Sequence, residues 1–322
     1  MLNAAMKRFL LLLLLLASCT PLATPGRPDV NQTAPAPRLP GMTSSAYMEL
    51  AGERVYFESG GTGTPILMIH GIGAGNSSHL YRNNTLALSK AHRVYAFDFP
   101  GFARSGARAI SYTNDLYVAV IEQFIKEVIR EPVQIVASSY AADYAIRLAS
   151  EQPQLITRLL LSNPSGYGLD LESMTLFGGN ASRNPERFKQ FADTPLGNLI
   201  FPVLTSEGGI NFFLYYYVYL DWRKATPEVT KIYLENLEGP NKAYAPFSFF
   251  SGLLDQPIDA YWPKLTQPVH LVWGTDDVFN PITEVSLYME KRPVPLTILR
   301  ARSIPYEEES EKFNAVALKF LQ

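Results

Sequence analysis

Residues 133–149, Val-Gln-Ile-Val-Ala-Ser-Ser-Tyr-Ala-Ala-Asp-Tyr-Ala-Ile-Arg-Leu-Ala, constrain this chain more than any other stretch. An apolar strand, Val133 to Val136, gives way within about three residues to an Ala-rich run with its apolar residues on one helical side. The turn between them, Ala137-Ser138-Ser139-Tyr140-Ala141, has a small residue two positions to either side of Ser139. So abrupt a change from strand to helix holds the turn residue in a strained backbone conformation and exposes its side chain above the sheet. The small neighbours are needed because strand and helix pass close together there. The helix N-terminus behind Ser139 favours negative charge beside its hydroxyl. Taken alone, the pentapeptide fits an incidental serine in a plain connection equally well. The rest of the chain decides.

Upstream, Tyr47–Leu50 and Arg54–Glu58 flank Ala51-Gly52 and predict a hairpin. Pro65 to His70 is a continuous apolar strand running into Gly71-Ile72-Gly73-Ala74-Gly75, and Arg93–Asp98 is another, running into Phe99-Pro100-Gly101. Leu116, Val120, Ile121, Phe124, Ile125 and Val128 place a helix within Thr113–Arg130. Further apolar strands fall at Arg158–Ser162, from Val269 to Trp273, and at Val294–Leu299. Unbroken apolar strands alternating with helices predict an α/β fold with a mostly parallel sheet covered on both faces.

These motifs resemble, in order and approximate spacing, those of the α/β-hydrolase fold family. They are His70-Gly71-Ile72-Gly73, Asp98-Phe99-Pro100-Gly101, the Ser139 turn, Ser162-Asn163-Pro164-Ser165-Gly166, and Gly274-Thr275-Asp276-Asp277. The resemblance covers residues 46–165 and 262–322, and it implies an inserted helical cap over 166–261. That insert is rich in aromatic residues, including Phe212 to Tyr219 and Phe247 to Phe250. They serve core packing, a channel for an apolar acyl group, or both.

An acyl-transfer serine hydrolase needs a nucleophile, a general base, an acid that orients the base, and an oxyanion hole. The resemblance implies Ser139 as nucleophile, Asp277 as acid with Asp276 as the neighbouring candidate, and the backbone N–H groups of Ile72 and Tyr140 as oxyanion hole. The base is missing. Counting back from the final helix, which opens near Glu308, puts Arg302-Ser303 where the family carries Gly-His, so Ser303 stands at the vacated histidine position. A serine hydroxyl does not titrate near neutral pH and cannot replace it. Without one triad member, the oxyanion hole and binding leave roughly 10³–10⁴-fold acceleration over water. Of the four histidines, His79 is the candidate substitute base. His70 fits loop support, His92 the surface and His270 the core. Arg300 or Arg302 is a candidate for holding an anionic group instead.

Two functional readings follow. One is a serine hydrolase acting on an apolar ester or acyl compound through an unconventional base. The other is a non-catalytic descendant that binds a small apolar ligand or a partner protein. Net charge is −2 with no basic block, which argues against nucleic acid as a partner. Neither a metal site nor a cofactor is implied.

The amino terminus has its own logic. Lys7 and Arg8 precede an apolar run from Phe9 to Ala17, shorter than the roughly 20 residues that span a bilayer. Its end, Leu16-Ala17-Ser18-Cys19, resembles a bacterial lipobox, and Cys19 is the only cysteine in the chain. Residues 1–19 therefore read as a lipoprotein signal peptide with Cys19 as the acylation site. Residues 20–45, rich in Pro, Ala and Thr, read as a disordered tether. The expected location is the bacterial cell envelope, outside the cytoplasm and held to a membrane through Cys19.

Overall fold

The computed structural model describes residues 33–167 and 184–322. The expected signal peptide, Cys19 and the first part of the expected tether lie outside the described residues. Eight strands form one sheet: β1 (Ser44–Leu50), β2 (Glu53–Gly60), β3 (Pro65–Ile69), β4 (Arg93–Phe97), β5 (Val133–Ser138), β6 (Ile156–Ser162), β7 (Val269–Gly274) and β8 (Leu296–Leu299). Their spatial order is β1-β2-β4-β3-β5-β6-β7-β8. β1 and β2 pair antiparallel, as do β2 and β4, and every other pairing is parallel. The first turn is the hairpin read from sequence. Ala51 and Gly52 both have positive φ, the conformation a two-residue hairpin turn requires.

Alternation along the central strands explains why they read as unbroken apolar runs. Leu67 and Ile69 pack on one face of the sheet and Ile66 and Met68 on the other. The same division separates Leu159 and Leu161 from Leu160. Side chains alternate with period two, so a sheet buried on both faces needs apolar residues at every position. Helices α1 (Thr85–Ser89), α2 (Asn114–Gln123) and α3 (Tyr140–Glu151) cover the first half of the sheet. Thr113 caps α2 by accepting from the Leu116 N–H, and residues 124–129 continue it as a wider π-helical turn.

Between β6 and β7, the described part of the insert is helical: α4 (Pro185–Ala192), α5 (Pro195–Leu204), α6 (Glu207–Phe213), a π turn over Leu214–Val218, α7 (Pro227–Asn236) and α8 (Tyr244–Phe250). After β7 come α9 (Val285–Lys291), α10 (Pro305–Glu308) and α11 (Ser310–Phe320).

One boundary needs correcting. A tether running to residue 45 overshoots, because Leu39 and Met42 are buried in the core. The backbone N–H groups of Arg38 and Leu39 donate to the Glu58 carboxylate at 2.9 and 2.8 Å. Two isolated apolar residues in a Pro-rich stretch carry no periodicity, so only packing reveals their role.

Candidate active site

Register places the chemistry at one edge of the sheet. Ile69 lies beside Phe97 and Ala137, and Ser138 beside Ser162, so β3 to β6 end together. The residues that follow these strands, His70-Gly71, Asp98, Ser139 and Asn163, converge there. This is the carboxyl edge, where open parallel sheets carry their sites.

Ser139 occupies the strained turn its sequence predicts. Its φ is 52° and ψ −134°, a region that a side chain with a Cβ rarely enters. Its N–H donates to the Ser162 carbonyl at 2.9 Å, which pins the turn to β6. Ala137 and Ala141 are fully buried, as close passage of strand and helix demands. The loop after β3 lies directly against this turn. A Cβ on Gly71 would come within 3.2 Å of both the Ser139 Cβ and the Ser138 Oγ. Ile72 therefore follows a residue in contact with Ser139, while Tyr140 opens α3, where a first-turn N–H has no acceptor within the helix. Ile72 and Tyr140, the two residues expected to supply oxyanion donors, thus flank the Ser139 turn from the loop and helix sides.

Asp277 is the buried aspartate after β7, while Asp276 is exposed and bonded to Thr275. The carboxylate of Asp277 is caged. One oxygen accepts from Asn163 Nδ2. The other accepts from the N–H groups of Phe279 at 2.9 Å and Asn280 at 3.2 Å. Burial pushes its pKa up, and these donors oppose the shift. Asn163 is the residue that sequence reasoning quoted in a motif without giving it a role. With φ 46°, it donates to Asp277 and accepts from the Gly274 N–H at 3.2 Å, tying β6 to the loop after β7.

Ser303 stands against Asp277. Its Oγ lies 3.1 Å from the Asp277 Oδ1 and 3.0 Å from the Tyr217 carbonyl oxygen. A hydroxyl has one proton, so it donates to one of these at a time. Its N–H also donates to the Val218 carbonyl at 3.2 Å. Backbone of the insert thus meets both the hydroxyl and the N–H of Ser303. Arg302 continues the clasp: its guanidinium donates to the Tyr216 carbonyl at 2.5 Å, which turns it toward peptide carbonyls instead of an anion. Glu308 closes it by accepting from the N–H groups of Arg302 (2.8 Å), Leu220 (2.9 Å) and Asp221 (3.1 Å). Nothing in the sequence of the insert signals these contacts, since they are made by its backbone.

All four histidines lie among the described residues, and none hydrogen-bonds Ser139. His70 is fully buried, with Nδ1 2.9 Å from the Gly71 carbonyl and Nε2 accepting from the Phe99 N–H at 3.0 Å. Both nitrogens are committed to holding the loop, and burial lowers its pKa. His79, the candidate substitute base, lines a small polar cavity with Arg38, Glu58, Asp98 and Asn236; Ser139 is not among its walls. Burial first, then Arg82 and Arg38, push its pKa down to about 4, so it is neutral and weakly basic. His92 is buried, not at the surface as expected. His270 Nε2 bonds Thr297 Oγ1 at 2.9 Å across β7 and β8, and the residue is half-buried, not in the core as expected.

Aromatic rings of the insert abut both halves of the site. Phe249 packs edge-on against Tyr140 at 5.4 Å between ring centroids, and Tyr217 stacks near Phe279 at 6.0 Å.

Comparison with known proteins agrees with this architecture. A family profile described as alpha/beta hydrolase fold matches residues 64–301. The 2-hydroxy-6-oxononadienedioate/2-hydroxy-6-oxononatrienedioate hydrolase of Comamonas testosteroni is 25% identical over 280 residues, covering 84% of this chain and 92% of that protein. The 2-hydroxy-6-oxo-6-phenylhexa-2,4-dienoate hydrolase of Delftia acidovorans is 23% identical, with 84% and 92% coverage. A related hydrolase of Metapseudomonas resinovorans is 29% identical over 135 residues, a match spanning 47% of its length. Among solved structures, a serine hydrolase involved in carbazole degradation superposes with a TM-score of 0.69 at 19% identity, covering 86% of this chain and 98% of that one.

Proposed function

Since this chain belongs to the α/β-hydrolase fold family, we propose that it keeps an acyl-binding site at Ser139 and has lost turnover by the histidine-dependent route. Its role is to bind an apolar acyl or carbonyl compound under the aromatic insert, at a membrane surface to which Cys19 is anchored. One observation carries this reading. The place of the base is taken by Ser303, which is bonded to Asp277 and to insert backbone. A protonated serine with no base beside it is a weak nucleophile.

A second reading keeps esterase turnover with a different activator. It is favoured by the strained φ of Ser139 and by the loop at Gly71 lying against it, features that cost stability and serve an oxyanion.

Fluorophosphonate labelling of the full chain, with Ser139→Ala as control, separates the two. Absence of labelling, together with a raised unfolding temperature on adding long-chain acyl esters or aryl-substituted dienoic acids, is the outcome expected of a binding protein. Labelling that disappears in Ser139→Ala overturns the binding reading in favour of turnover.

A further inference from the structure

Helix α5 has the sequence Pro-Leu-Gly-Asn-Leu-Ile-Phe-Pro-Val-Leu, and Gly197 is its only buried residue. Gly197 and Phe201, at i and i+4, face inward: a Cβ on Gly197 would collide with the Phe191 carbonyl, and Phe201 meets the Phe247 ring. Leu196, Leu199 and Val203, at i, i+3 and i+7, form the opposite flank, with Leu196 46% and Leu199 37% exposed and Val203 half-buried beside them. No charged residue occurs from Thr194 to Ser206. Elsewhere on the insert, Tyr216 and Trp222 are exposed, and these are residue types enriched at membrane interfaces.

The chain itself indicates what this flank meets. The amino-terminal segment enters the body against the insert: Arg38 pairs with Glu235 of α7 at 3.1 Å, and Leu39 shares a cavity wall with Ile232 of that helix. α7 packs on α6, and α6 on α5. α5 is thus two helices along the insert from that entry point. The 19 residue steps from Cys19 to Arg38 span at most about 65 Å. An anchor at Cys19 would therefore hold the insert side of the body within reach of the bilayer.

We propose that the Leu196–Leu199–Val203 flank of α5 is a docking surface for the phospholipid bilayer. This inference rests on the reading of Cys19 as an acylated anchor. At ten residues α5 is about 15 Å long, half the hydrocarbon thickness, so it lies in the interface and does not cross it.

The test uses the mature full-length chain bound to phosphatidylethanolamine–phosphatidylglycerol vesicles. A solvent-sensitive fluorophore is placed at Leu199→Cys and, as control, at Ile298→Cys on the exposed face of β8. With vesicles present, the probe at 199 should shift to the blue and escape iodide quenching, while the probe at 298 stays wet. Mass measurement of the mature chain reports acylation separately. An acylated chain whose probe at 199 stays wet overturns the docking surface and leaves the anchor standing. A chain without acyl groups, carrying Cys19→Ser so that position 199 holds its only thiol, whose probe still shifts on adding vesicles keeps the surface and removes the anchor. A probe already dry without lipid, through a second copy or another part of the chain, overturns the proposal, as does equal drying at 298.

Discussion

At the scale of single residues, the decisive position is 303. An imidazole at 303 in place of the hydroxyl would have to displace the Tyr217 carbonyl, 3.0 Å from the Ser303 Oγ. Ser303→His should therefore lose about 1–3 kcal/mol of stability by overpacking and gain no esterase activity. Denaturant unfolding alongside a p-nitrophenyl ester assay checks both, and a large gain in turnover would show that only the base had been lost. A second residue sets a pH dependence. Asp143 of α3 is fully buried beneath the site, and its carboxylate accepts from the Ser165 N–H and Oγ. Burial outweighs these donors and pushes its pKa up to about 8. The unfolded value is about 3.9, so between those two pH values the folded chain holds a proton that the unfolded chain releases. This contribution to stability is present at low pH and is lost as pH rises from about 4 to about 8. Asp143→Asn, which has no proton to lose, should remove on the order of 2–4 kcal/mol of that decline. Urea midpoints of both proteins at about pH 6 and about pH 9 measure the difference.

At the scale of elements, the loop after β8 does different work from the one its position suggests. It holds the insert through backbone: Arg302 to Tyr216, Ser303 to Tyr217 and Val218, and Glu308 to Leu220 and Asp221. Glu307 adds bonds to Arg82 and Tyr219. Glu308→Ala leaves three N–H groups without their acceptor, and buried donors left unpaired cost about 1–3 kcal/mol each before relaxation. A loss of about 2–4 kcal/mol is expected, with faster hydrogen exchange at residues 217–221 than elsewhere in the insert. Uniform acceleration across the chain would mean that Glu308 supports global stability and has no special part in the clasp.

At the scale of the whole molecule, the folded body begins earlier than its first strand. Leu39 and Met42 are buried, and Glu58 accepts from two backbone N–H groups of the same segment. A chain trimmed to start at residue 46 loses both side chains and the first two of the seven residues of β1. It should be destabilised by roughly 3–5 kcal/mol relative to the full chain, as thermal unfolding would show. An unchanged midpoint would mean the segment rests on the body without supporting it.

Local chemistry determined much of this protein from sequence alone. The β-strands declared themselves as apolar runs because a two-sided core demands them. The Ser139 turn declared itself because close packing admits only small residues two positions away. Ser303 was legible as well, at the position where the resemblance implies a histidine, since a motif read by residue type also shows a departure from it. The tertiary structure decided what Ser303 touches. Ser303 meets Tyr217 and Val218 from 85 or more positions earlier in the chain, through peptide carbonyls that every residue possesses. The same holds for His79, whose neighbours Arg38 and Asp98 come together only when β2 and β4 pair and the amino-terminal segment packs across them. Backbone contacts and long-range neighbours leave no mark on residue identity, and so only the folded chain shows them.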